Sequence, residues 1–148
     1  HTLAGWKVHT IFAEEADGLL SKAFRQLGLP YGYQAVLYLN IAKRQAVLAH
    51  RGTELQNMSA ITTDISSIAG NTIGGQERSV PLLLDQALSI AQQNGCSLTI
   101  TGHSLGGWLA QLTAFIARDR YPDIPVKAIT FDTPGAYPML TQINARIN

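Results

Sequence analysis

Ser97-Leu98-Thr99-Ile100-Thr101-Gly102-His103-Ser104-Leu105-Gly106-Gly107 reads as a strand, a sharp turn and the start of a helix. Ser97 to Thr101 is a short β-rich run, and from Leu105 to about Arg120 the residues Leu109, Leu112 and Ile116 recur at helical steps. Between them, Gly102-His103-Ser104-Leu105-Gly106 fits G-x-S-x-G, the nucleophile elbow, in the strand–turn–helix context that this motif needs. Each residue type has a physical reason. A serine at the tip of so tight a turn has strained backbone angles and projects its hydroxyl away from the sheet. Glycines beside it let strand, turn and helix approach without side-chain clashes. The helix N-terminus supplies positive potential and N–H groups for a developing oxyanion. Ser104 is therefore the candidate nucleophile, and the N–H of Leu105, the next residue, is an expected oxyanion donor. His103 adjoins the serine, but the elbow turns neighbours away from the hydroxyl, so it reads as a packed or partly exposed turn residue.

The flanking elements extend the pattern. Ser79 is a candidate N-cap with Pro81 in the first turn, and Leu83, Leu84, Ala87, Leu88 and Ala91 form a stripe that Asn94-Gly95 ends. Val126 to Phe131 is a further strand. Upstream, Tyr33 to Asn40 and Ala46 to His50 are β-rich runs joined by Ile41 to Gln45, a hairpin. Ile11 to Leu27 is expected to be a helix, since Phe12, Ala16, Leu19, Leu20, Ala23, Phe24 and Leu27 make one stripe before Gly28 and Pro30. Leu55, Met58, Ile61, Ile65 and Ile68 also follow at helical spacing. Ala69 to Gln76 reads as a loop, and Leu140, Ile143 and Ile147 point to a last helix. From the second hairpin strand onward the order is β, helix, β, helix, β. The expected class is α/β: a mostly parallel sheet with right-handed crossovers, helices on both faces and an antiparallel hairpin at its start.

The composition excludes several alternatives. A chain of 148 residues suits one domain, and 46% hydrophobic against 14% charged residues is too apolar for a disordered segment. Lys+Arg 11 against Asp+Glu 10, a formal charge of +1, makes no case for a nucleic-acid partner. The one cysteine, Cys96, excludes an intrachain disulfide framework and a cysteine-rich metal site. Apolar runs such as Val80-Pro81-Leu82-Leu83-Leu84 are far too short to span a bilayer. No signal peptide is visible, and the chain opens on His1 rather than Met, as a mature or trimmed product does. Secreted and cytoplasmic placements both stay open.

A second motif closes the hairpin. Ala49-His50-Arg51-Gly52-Thr53 ends a strand near the middle of the sheet, which brings Thr53 to the crevice where α/β sheets place their sites. Taken with the elbow, and with Ala128-Ile129-Thr130-Phe131-Asp132-Thr133-Pro134-Gly135, the chain from about Tyr33 to Gly135 resembles the fungal lipase-like (class 3 lipase) family of α/β hydrolases. That resemblance implies hydrolysis of carboxylic esters, often acylglycerols or phospholipids, with neither metal nor organic cofactor. An ester or lipid substrate and an interfacial lipid contact are the implied partners. The resemblance also places Thr53 in the oxyanion position, donating its backbone N–H. The segment after Thr53 corresponds to the family's lid. Leu55, Met58, Ile61 and Ile65 then form a flap over the acyl site or an ordinary helix packed on the sheet; periodicity does not separate the two.

A serine hydrolase also needs a base, and a carboxylate to orient it, which in this fold follow the serine in the order acid, then His. All four histidines, His1, His9, His50 and His103, come before Ser104. The family's acid and histidine lie farther downstream, so residues 1–148 are expected to be a partial catalytic domain, inactive alone, whose open sheet edge is covered by a further segment or a partner chain. Asp132 is the one internal candidate for the acid, 28 residues past the serine, against the plainer reading of a strand-end Asp bonded to the following turn. His50 reads as a packed strand residue. Two alternatives share these features: an acyltransferase on the same elbow, and a pseudo-hydrolase that only binds.

Overall fold

A computed structural model describes residues 3–13, 33–52 and 79–133. Five strands form one sheet in sequential order: β1 (Lys7–Ala13), β2 (Gln34–Asn40), β3 (Gln45–His50), β4 (Ser97–His103) and β5 (Val126–Phe131). β1–β2 and β2–β3 pair antiparallel, and β3–β4 and β4–β5 pair parallel. Two helices make the parallel crossovers, α1 (Ser79–Gln93) and α2 (Leu105–Arg120). The sheet is thus the mixed sheet of an α/β fold, with its antiparallel part at the start.

β1 corrects one expectation. Ile11, Phe12 and Ala13 belong to a strand, not to the start of a helix. Its bulge lies between Val8 and Thr10, ahead of Ile11; what overrides the helical spacing at Phe12 is the antiparallel pairing with β2, Phe12 opposite Ala35. Val8 pairs with Tyr38 and Ile11 with Val36, so residues three apart on β1 share one face. Residues 14–32, which hold the rest of that stripe, lie outside the described residues, as do the expected helices after Leu55 and at Leu140 to Ile147 and the loop 69–76.

The hairpin β2–β3 pairs from Ala35 with His50 to Asn40 with Gln45. Arg44 takes φ 53° to close its turn, and the buried Asn40 accepts from Lys43 N–H at 3.1 Å. α1 ends as its sequence predicts. Gly95 adopts φ 64°, its N–H donates to Gln92 O at 3.0 Å, and Cys96 N–H donates to Ala91 O at 2.8 Å, which satisfies the last carbonyls.

Alternation along β2, β3 and β4 buries Ala35, Leu37 and Leu39, then Ala46, Leu48 and His50, then Leu98, Ile100 and Gly102. Because the strands run in sequential order, both crossovers step the same way, and right-handedness places α1 and α2 on this one face. Leu83, Leu84, Ala87, Leu88 and Ala91 of α1 and Leu109, Leu112 and Ile116 of α2 are buried against it, each large side chain contributing about 1.5–3 kcal/mol. The other face is half-buried at Val36, Tyr38, Val47, Ala49, Thr99 and Thr101. At its β5 margin Ile129 and Phe131 are 41% and 59% exposed, the apolar edge expected beside the last strand.

Candidate active site

Ser104 sits between β4 and α2 with φ 53° and ψ −120°, a conformation that costs a non-glycine residue about 1–3 kcal/mol. The surroundings hold it there. Its N–H donates to Phe131 O at 3.0 Å, which continues the β4–β5 ladder past the end of β4. Its carbonyl accepts from Trp108 N–H at 3.1 Å, the first bond of α2. The residue is 6% exposed, and Leu105 and Trp108 beside it are buried. The N–H of Leu105 is in the first turn of α2, where helix geometry provides no intrahelical acceptor.

The glycines explain why the turn closes so tightly. A Cβ on Gly102 would overlap the Gly106 carbonyl and lie 2.6 Å from Gly107 N. One on Gly107 would overlap Thr133 Oγ1. The contact that matters most joins the two motifs of the sequence. A Cβ on Gly52 would overlap the His103 carbonyl and lie 2.7 Å from Gly106 N, and one on Gly106 would overlap the His50 carbonyl. The Arg-Gly strand end therefore lies directly against the elbow. Thr53 follows Gly52 but falls outside the described residues.

Three of the four histidines are described, and each has its own surroundings. His9, on the edge strand β1, has Nδ1 2.7 Å from the Thr10 hydroxyl. His103 is half exposed and turns Nε2 toward the Asp132 carboxylate at 3.8 Å; Asp132 is 90% exposed, so this pair is worth little. Asp132 holds φ 46°, directly after β5, and Thr133 Oγ1 donates to Phe131 O at 3.0 Å across that bend. His50 is buried. Its Nδ1 lies 2.8 Å from the Tyr33 hydroxyl and its Nε2 3.0 Å from the Thr113 hydroxyl. The sequence placed His50 as a packed strand residue, and that is its environment; nothing in the periodicity pointed to its two partners.

Burial pushes the His50 imidazole from 6.5 down to about 3. The unfolded chain takes up a proton near 6.5 and the native chain resists until about 3, so the stabilisation from a neutral His50 is complete above 6.5 and is lost as pH falls. One such group costs about 2 kcal/mol between pH 7 and 5. Urea unfolding at the two pH values should show His50→Gln losing about that much less than wild type on acidification. Equal losses would show that His50 titrates normally.

Among the described residues no cluster of His, Cys, Asp and Glu comes close enough to hold a metal ion. Two open grooves of about 320 and 480 Å³, one lined by β1 and α1 and one by α2 and the start of β5, do not include Ser104.

The family model described as "Lipase (class 3)" matches residues 61–137, just over half of the chain. No curated protein matches. Among solved structures, a fungal lipase in complex with an inhibitor, described as a model for interfacial activation, is similar with TM-score 0.52 and 17% identity over 93% of this chain and 54% of its own. The lipase from Rhizopus microsporus var. chinensis is similar with TM-score 0.54 and 18% identity over 93% of this chain and 50% of its own. The chain spans about half the length of these solved lipases.

Proposed function

The chain belongs to the class 3 lipase family, and from that premise we propose that it carries the nucleophile of a serine hydrolase acting on carboxylic esters of lipids. The observation that carries the reading is the strained, buried Ser104 at the start of α2, with the Arg51-Gly52 strand end packed on its turn. In this reading Ser104 Oγ attacks the ester carbonyl carbon and gives its proton to a base. The carbonyl oxygen gains the negative charge, and the N–H groups of Leu105 and Thr53 receive it. Collapse breaks the bond to the alcohol, which leaves with the proton, and an acyl group remains on Ser104. Water, deprotonated by the same base, then releases the acid. No cofactor enters these steps.

His50 is unsuited to be that base, because both ring nitrogens are engaged and burial keeps it neutral. His103 faces Asp132, and His9 lies on the far edge strand. Among the described residues no histidine is placed to serve as that base, so we assign the base to a residue outside them. Asp132 remains the acid candidate inside the chain, and its exposure beside His103 argues for a turn role. Asp132→Asn should hold ester turnover within about threefold of wild type. A loss of a hundredfold or more would make it the acid.

The decisive experiment treats the full-length protein with a fluorophosphonate and maps the adduct by peptide mass spectrometry. A phosphonyl group on Ser104 supports the reading. Labelling elsewhere, or none with an active preparation, overturns it.

A further inference from the structure

We propose that His50 is a positioning residue for ester cleavage: it braces β3, which leads into Gly52 and Thr53, against α2, which starts beside Ser104, and so sets the spacing between the two backbone segments assigned to the oxyanion. The proposal rests on the serine-hydrolase reading given above.

The proton positions follow from counting donors. Thr113 has one hydroxyl proton, and it goes to Leu109 O at 2.8 Å, a bond within α2. The 3.0 Å contact between Thr113 Oγ1 and His50 Nε2 is then Nε2–H donating to the hydroxyl oxygen. That leaves Nδ1 as a bare acceptor, so at 2.8 Å the Tyr33 O–H donates to it. The chain Tyr33 O–H to Nδ1, Nε2–H to Thr113, Thr113 O–H to Leu109 is satisfied at every step with a neutral ring. All three side chains are buried, at 2%, 4% and 0% exposure, where a missing partner is costly.

The place of this chain in the fold gives it its purpose. The other inward residues of β3, Ala46 and Leu48, meet the core through apolar contact alone, which fixes no register. His50 is the last inward residue, and it ties the strand to the residue that opens β2 and to the body of α2. Its own carbonyl and Gly52 N then press on Gly106, one residue past Leu105. Besides the apolar core they share, β3 and α2 meet main chain against main chain at the elbow and through the imidazole bridge two turns along the helix. The main-chain contact stops the segments from closing further; the bridge stops the helix from rocking away. Oxyanion donors act through preorganisation, and a displacement of about 1 Å is enough to cost about a hundredfold in rate.

The test uses the full-length protein and a soluble short-chain p-nitrophenyl ester. Thr113→Val removes the acceptor of Nε2–H at nearly constant volume. It should lower kcat by about 10- to 100-fold with KM within about twofold, and Thr113→Ser, which keeps the hydroxyl, should restore kcat to within about threefold. A second route is Tyr33→Phe, which deletes the other partner and should lower kcat by a smaller factor if Thr113→Val does not fold. Separately, ¹⁵N shifts of the imidazole should report the Nε2–H tautomer; an Nδ1–H tautomer overturns the arrangement. Wild-type kcat in folded Thr113→Val and Tyr33→Phe, or a change in KM alone, sinks the positioning role while Ser104-dependent turnover leaves the hydrolase reading standing. Wild-type protein with no Ser104-dependent turnover sinks both.

Discussion

Replacing Ser104 with alanine lowers ester turnover of the full-length protein by about 10⁴-fold or more, with little change in stability. The size of the effect comes from the chemistry. Removing Oγ removes the atom that forms the acyl-enzyme, and water attacking the same bound ester keeps only the help of the oxyanion donors. The small change in stability comes from the backbone. Ser104 holds φ 53°, which is as unfavourable for alanine as for serine, so the strain is carried over and not relieved. Glycine is different. Ser104→Gly should be equally inactive, yet at least as stable as Ser104→Ala, because only glycine adopts that angle freely. Turnover of short-chain esters and thermal unfolding of the three proteins check both statements. Turnover in Ser104→Ala within tenfold of wild type would remove Ser104 from the chemistry. A Ser104→Gly protein clearly less stable than Ser104→Ala would show that the turn is not strained.

How much of this was legible in the sequence differs from one residue to the next. The helix Leu105–Arg120 and the strand Val126–Phe131 were read with their observed ends, because each has an unbroken period and a clear stop. The stripe of α1 was read residue by residue, and Asn94-Gly95 closed it for a reason that sequence carries: only glycine takes φ 64° cheaply. The strand β4 runs two residues past its expected end, since β5 pairs with it up to His103 and that pairing partner is not local. Ile11 to Ala13 form strand where the spacing predicts a helix, because their partners Val36, Ala35 and Gln34 on β2 are not local and leave no mark on the spacing. In the site, Ser104 was legible from its motif. The Tyr33–His50–Thr113 bridge was not, because it joins residues 17 and 63 apart through single polar groups that leave no period. The same holds for the contact between Gly52 and Gly106. Two short motifs were visible, but their direct packing follows only from the β3–β4 register, in which His50 lies opposite Gly102.

That packing carries the second large effect. Gly106→Ala should destabilise the protein by about 3 kcal/mol or more and lower ester turnover by at least about a hundredfold. Helix propensity argues the other way, since alanine is better than glycine inside a helix by about 1 kcal/mol, and Gly106 is the second residue of α2. Space decides between the two. A Cβ at this position would overlap the His50 carbonyl and lie 2.9 Å from Gly52 N and 3.0 Å from the Arg51 carbonyl carbon. All three are main-chain atoms at the end of β3, so no side chain can rotate to make room. Either α2 or the strand end must move, and each carries one of the segments assigned to the oxyanion. Gly95→Ala is the control. That glycine has φ 64° with nothing within 4 Å of the added carbon, so its cost is conformational only, about 1–2 kcal/mol, with turnover kept. Thermal unfolding and kcat for the two variants separate the mechanisms. Gly106→Ala within about 1 kcal/mol of wild type, or as active as Gly95→Ala, would show that strand end and elbow are not in contact, and the spacing between them would lose its role in catalysis.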